Sequence, residues 1–189
     1  MQPLDPHPVI ILDRDGIINE DSPYYIKSVD EFILLPGSVQ AIAKLTAAGF
    51  RIGVATNQSG VSRGYYDETK LAAIHAKMLY HVRTAGGRID EIAYCVHLPE
   101  EGCRCRKPNP GMLHDLATRF ACETHEMIFI GDKITDIQAA EAAGAKPILV
   151  RSPMTDEHAL QRYPHVPVFD SLAACVDHLI GNQEYLCES

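Results

Sequence analysis

Five short aliphatic runs punctuate the chain: Val9-Ile10-Ile11-Leu12, Ile52-Gly53-Val54-Ala55, Ile92-Ala93-Tyr94, Ile128-Phe129-Ile130 and Ile148-Leu149-Val150. Runs this short and this rich in β-branched residues read as strands buried on both faces. Between and after them lie stretches whose apolar residues recur at three and four: Val39/Ile42/Ala43, Leu71/Ile74/Met78/Leu79/Val82, Leu113/Leu116/Ala117/Phe120 and Leu172/Cys175/Val176/Leu179/Ile180. Each gives one helix a single apolar stripe. The alternation predicts an α/β fold, a Rossmann-like, doubly wound and mostly parallel sheet with helices on both faces. Residues 152–167 carry no clear pattern, and the proline-rich start and the tail after Ile180 are expected to be loose.

At 189 residues, one domain spanning 1–189 is expected, large enough to bury a core without disulfides. Hydrophobic residues at 46 % and charged residues at 22 % exclude a disordered chain. No apolar run approaches the ~20 residues a membrane helix needs, and the first residues lack the basic and apolar regions of a signal peptide. A cytoplasmic protein that binds no membrane is the expectation. A net charge of -8 repels phosphate backbones, and no aromatic-basic stripe compensates, so no nucleic-acid partner is expected. Nothing in the pattern demands a second subunit, and a monomer is expected.

Open parallel sheets place their ligands at the carboxyl ends of the strands. Here those ends carry Asp13-Arg14-Asp15-Gly16, Thr56-Asn57-Gln58-Ser59-Gly60 and Gly131-Asp132-Lys133. Alone, each piece is commonplace, since Asp-x-Asp-Gly and Thr-Asn are ordinary turn and cap sequences. Delivered to one sheet edge by three strands, they form a site. Two carboxylates one residue apart can take different pKa values, one serving as nucleophile and the other as acid. Asp13 and Asp132 offer the hard oxygens Mg²⁺ prefers, with Asp136 one turn beyond. Thr56, the amides after it and Lys107 can neutralise a phosphoryl group.

In the order Asp13-Arg14-Asp15-Gly16, Thr56, Lys107 and Gly131-Asp132-Lys133-x-x-Asp136, the chain resembles the haloacid-dehalogenase superfamily of phosphatases over roughly Val9 to Val150. The resemblance implies a covalent aspartyl-phosphate on Asp13, acid and then base work by Asp15, and phosphoryl stabilisation by Thr56 and Lys107. It also implies catalytic Mg²⁺ held by Asp13, the backbone carbonyl of Asp15 and Asp132. The spacing between the strand runs leaves no room for a large cap domain, so a capless, open site is expected.

Cys95, His97, Cys103 and Cys105 place four ligands within a loop over 95–105, enough to close a tetrahedral Zn²⁺ site. Four protein ligands leave no open position for water, so the zinc is expected to be structural. The loop runs straight into Arg106 and Lys107, and a metal that stiffens it would fix that cation. Zinc-loop members of the superfamily include phosphatases of a heptose bisphosphate and of histidinol phosphate. Thr56 to Gly64, Cys105 to Met112 and Gly131-Asp132-Lys133 resemble the former more closely. That implies a small-molecule sugar bisphosphate partner, hydrolysed at its 7-phosphate on the way to activated heptose for lipopolysaccharide. Histidinol phosphate is the alternative, and a polynucleotide-end phosphatase or a non-catalytic zinc-stabilised module stands behind it. A substrate with a phosphate at each end needs cations at both, and Arg63, Arg106 and Lys133 are available. By resemblance Asp21, Ser22, Pro23, Tyr24, Thr56, Asn57, Gln58, Ser59, Arg106, Lys107 and Lys133 would contact it.

Overall fold

The structure, a computed structural model, describes residues 8–182. Six parallel strands, β1 (Val9–Leu12), β2 (Arg51–Asn57), β3 (Glu91–Cys95), β4 (Met127–Gly131), β5 (Lys146–Val150) and β6 (Val168–Phe169), form one sheet in the order β3-β2-β1-β4-β5-β6. The order reverses at β1, between β2 and β4, which is the switch point where such sheets open a crevice.

Both faces are covered, by α1 (Ser38–Ala47), α2 (Glu68–Thr84), α3 (Gly111–Phe120), α4 (Ile134–Ala143), the short α5 (Glu157–Leu160) and α6 (Leu172–Gly181). Successive β1 residues point to opposite sides. Ile10 and Leu12 join a core with Ile42 of α1, Ile74 and Met78 of α2, and Val176 of α6. Val9 and Ile11 join another with Leu113 and Leu116 of α3 and Ala139 and Ala140 of α4. All four β1 residues are fully buried, which is why the run shows no polar alternation.

The five expected strands and four expected helices are present, and the sheet is parallel throughout. Two regions add elements that the pattern did not reveal. α4 is alanine-rich and almost entirely without a one-sided stripe, so its helicity rests on alanine propensity and on Gly144, which ends it at φ 80°. The patternless stretch after β5 holds α5, and just beyond it the two-residue β6 pairs Leu149 with Val168 and Val150 with Phe169. Expectations for the proline-rich start through His7 and for the end of the tail lie outside the described residues.

Candidate active site

Asp13 is the first residue past β1, and its amide donates to Ile130 O of β4 at 2.9 Å, which seats it at the switch point. Asp13, Asp15, Thr56, Asn57, Lys107 and Lys133 line one small pocket there, together with Thr135 and Asp136. Lys107 arrives from the loop after β3 and is buried. Its Nζ lies 3.0 Å from Asp13 Oδ1 and 2.8 Å from Asp136 Oδ1, and it donates to Ala55 O at 3.0 Å. Burial opposes the ammonium charge, but Asp13 and Asp136 outweigh it and raise the Lys107 pKa. Asn57 holds the lysine's backbone from both sides, its Oδ1 accepting from Lys107 N and its Nδ2 donating to Lys107 O, each at 3.1 Å.

Asp13 Oδ1 also accepts from Arg14 N at 2.7 Å, so the Lys107 and Arg14 contacts fall on one oxygen and leave the other to the pocket. Asp132, fully buried after β4, has Oδ2 held by Ser152 Oγ at 2.6 Å, while Thr155 Oγ1 donates to its carbonyl at 2.7 Å. Its Oδ1 is buried without a hydrogen bond among the described residues, with Lys133 Nζ at 3.9 Å. Acceptor atoms of Asp13, Asp132 and Asp136 lie within 4.8 Å of one another. Burial above all, with neighbouring carboxylates adding to it and Lys107 and Lys133 opposing it, pushes Asp13 up to about 6 and Asp132 up to about 7. Carboxylates so crowded, with one buried oxygen unserved, fit a hard divalent cation such as Mg²⁺. Gly16 permits the arrangement. It sits at φ 86°, and a Cβ there would fall on the Asp132 carboxyl.

Asp15 is held differently. Arg14 Nε and Nη2 donate to its Oδ1 at 3.0 and 2.9 Å, Asn19 Nδ2 donates to the same oxygen at 2.8 Å, and Gln58 Nε2 donates to Oδ2 at 2.9 Å. Burial disfavours its charge, yet the Arg14 guanidinium and these hydrogen bonds prevail and hold the carboxyl below the usual range. Arg14 is itself fully buried, with Nη1 3.4 Å from His75 Nε2 on α2. Two carboxylates one residue apart are therefore driven in opposite directions.

Asp136 does not face outward to a metal's water. Oδ1 meets Lys107, and Oδ2 accepts from the backbone amides of Asp132 and Lys133 at 3.1 and 3.0 Å, closing the first turn of α4. Lys133 Nζ pairs with Asp21 Oδ2 at 2.6 Å, joining the loop after β1 to the loop after β4. Burial lowers its ammonium pKa, but Asp13, Asp132 and Asp21 overcome this and raise it. Ser22 is half-buried beside that pair, while Pro23 and Tyr24 are exposed at the rim. Gln58 and Ser59 are buried beneath the pocket lining, and Arg106 turns back to His97 O at 3.3 Å. Sequence reasoning passed over Arg14, Asn19, His75, Ser152 and Thr155, none of which lines the pocket. Arg14 alone had a signal, its place between the two motif carboxylates.

The second cluster closes around Cys95 at the end of β3. His97 Nδ1 lies 3.2 Å from Cys105 Sγ and 3.5 Å from Cys95 Sγ, and the sulfur separations run from 3.1 to 3.6 Å. These edges fall short of the ~3.8 Å expected between sulfurs each ~2.3 Å from a tetrahedral ion, so the four donors are already gathered and need to move apart only by tenths of an ångström to take one. Three thiols this close compete for charge. Burial raises Cys95 and Cys105, while at Cys103 amide and thiol hydrogen bonds overcome burial and bring it to about 7. A bound dication would let all three ionise. Asn109 Nδ2 donates to Cys103 O at 2.7 Å and Gly111 N to Arg104 O at 2.9 Å, tying the loop to the start of α3.

A family model for HAD-hydrolase-like proteins matches residues 104–175. The D-glycero-beta-D-manno-heptose-1,7-bisphosphate 7-phosphatase of Pseudomonas putida is 46% identical over 91% of this chain and 99% of its own. The protein of the same name from Bordetella bronchiseptica is 49% identical over 76% of this chain and 80% of its own. A crystal structure of D,D-heptose 1,7-bisphosphate phosphatase from B. bronchiseptica, complexed with magnesium and phosphate, superposes with a TM-score of 0.86. It is 43% identical, covering 92% of this chain and 98% of that one. Fold, site and relatives agree, and the chain belongs to the heptose-1,7-bisphosphate 7-phosphatase family of haloacid-dehalogenase-like hydrolases.

Proposed function

We propose that this protein is a Mg²⁺-dependent phosphatase that removes the 7-phosphate of D-glycero-β-D-manno-heptose 1,7-bisphosphate, leaving the 1-phosphate. The observation that carries the chemistry is the convergence of Asp13, Asp15, Thr56 and the buried Lys107 on one small pocket at the switch point, with Lys107 Nζ 3.0 Å from Asp13 Oδ1. The relatives' names carry the substrate and its anomer.

Asp13, through the oxygen that Lys107 and Arg14 N leave open, attacks phosphorus and becomes the aspartyl-phosphate. Lys107 stays against the nucleophile and offsets the charge the phosphoryl oxygens bring, and the Thr56 hydroxyl donates to one of them. Asp15 protonates the departing sugar oxygen and then takes a proton from the water that splits the acyl-phosphate. Its donors favour the ionised form, which suits the second half. The first half requires a proton on Asp15, so one donor must yield when substrate enters. Asp13, the Asp15 carbonyl and Asp132 would hold Mg²⁺. When bound, it neutralises the carboxylates and the transferring phosphoryl group. Cys95, His97, Cys103 and Cys105 would hold structural Zn²⁺. Arg106 and Lys133 remain the candidates for the sugar's second phosphate.

Phosphate release with Mg²⁺ from the β and α anomers of heptose 1,7-bisphosphate and from histidinol phosphate tests the reading. The β anomer is expected to give the highest kcat/KM, by at least about tenfold over histidinol phosphate, a margin of ~1.4 kcal/mol in transition-state binding. A preference for histidinol phosphate would overturn it.

A further inference from the structure

Gln58 follows β2, is only 3 % exposed, and shares one amide among three groups. Nε2 donates to Asp15 Oδ2 at 2.9 Å and to Thr56 Oγ1 at 2.8 Å, and Oε1 accepts from the Tyr66 hydroxyl at 2.6 Å. An ionised carboxylate only accepts, so the amide nitrogen has to face Asp15 and the oxygen has to face Tyr66. The reversed amide would press an oxygen against Asp15. The Tyr66 hydroxyl must then donate. Thr56 Oγ1, already accepting from Gln58, keeps its own hydrogen for an acceptor elsewhere, and Thr56 lines the phosphoryl pocket.

We propose that Tyr66 is a positioning residue for phosphoryl transfer. By donating to Gln58 Oε1 it fixes the direction of the amide, which frees the Thr56 O–H for the phosphoryl group and pins one oxygen of Asp15. Tyr66 is suited to the task. It is 4 % exposed and sits directly before Asp67, whose side chain caps α2 by accepting from Lys70 N at 2.8 Å. A residue at a capped helix start is anchored more firmly than one on a free loop. Its ring lies against Gly60, where a Cβ would collide with it. Burial pushes its hydroxyl up to about 12, so it remains a donor through the neutral range.

The inference rests on the phosphatase reading above, and the test separates the two. Steady-state kcat and KM on heptose 1,7-bisphosphate with Mg²⁺ are measured for the parent, Tyr66→Phe, Gln58→Leu and the double variant, beside thermal unfolding. Tyr66→Phe is expected to lower kcat about 5- to 20-fold with KM nearly unchanged, the size of one lost hydrogen bond in a buried network, and to lower Tm by only a few degrees, since Gln58 Oε1 loses its donor while the fold stays intact. In the Gln58→Leu background the same change is expected to alter kcat less than about twofold, because the relay is already cut. A Tyr66→Phe kcat within twofold of the parent's, or losses that multiply in the double variant, would overturn the proposal. Should Tyr66→Phe not fold, Gln58→Glu, which sets an oxygen against Asp15, must lose at least as much kcat as Gln58→Leu. Parental kcat in that variant would equally sink it. A parent that releases no phosphate contradicts the phosphatase reading instead.

Discussion

At the residue scale, the site works by setting like groups apart. Asp13 and Asp15 are two positions from each other, yet burial raises one while Arg14, Asn19 and Gln58 lower the other. The pair was legible as a motif, but the tuning was not, because it depends on donors brought in by β2 and on Arg14 being buried against α2. His75 carries part of that burden. Burial first, then the Arg14 charge, brings its pKa down to about 4, with Asp15 opposing. A folded pKa below the unfolded ~6.5 means that the unfolded chain binds the extra proton between those values. Stability from this group is full above pH ~6.5 and drains away as pH falls toward 4. His75→Gln keeps an acceptor for Arg14 but cannot protonate. Its Tm is therefore expected to fall less steeply than the parent's between pH 6.5 and 4, as followed by thermal unfolding at stepped pH. Parallel slopes would show that His75 does not titrate there.

At the element scale, each strand end contributes one part of the pocket and a neighbouring element locks it. β1 brings Asp13, β2 brings Thr56, the turn after β4 brings Lys133 with Asp132 buried next to it, and the loop after β3 brings Lys107. The strand ends could be read in advance because aliphatic runs stop abruptly at charged residues. The locks could not. Ser152 and Thr155 grip Asp132 from the patternless stretch after β5, and small hydroxyl residues in a loop leave no periodic trace. The cysteine loop was legible in composition, since four metal-type ligands in eleven positions have few other uses. It joins the end of β3 to Lys107, so its stiffness reaches the buried cation of the pocket. Cys103→Ser is expected to remove about one equivalent of zinc by metal analysis. It should lower Tm by roughly 5 °C or more and reduce kcat, with Lys107 less firmly placed. Unchanged metal content and turnover would show the cluster to be idle.

At the scale of the whole molecule, a doubly wound sheet was visible in five strands and four stripes. What escaped was α4, too rich in alanine to show a stripe, and α5 and β6, too short to show a pattern. None of them changes where the crevice lies, because the switch point is set by β1 and its two neighbours. For the proposed function the decisive group is the Asp13 carboxylate, as the nucleophile toward a heptose bisphosphate. The direct measurement is phosphate release from the β anomer with Mg²⁺ by the parent and by Asp13→Asn, beside their Tm values. The variant is expected to lose at least about 10³-fold in kcat. Its Tm should match or exceed the parent's, since burial already disfavours charge on Asp13. An Asp13→Asn protein that folds and turns over within tenfold of the parent would contradict the account.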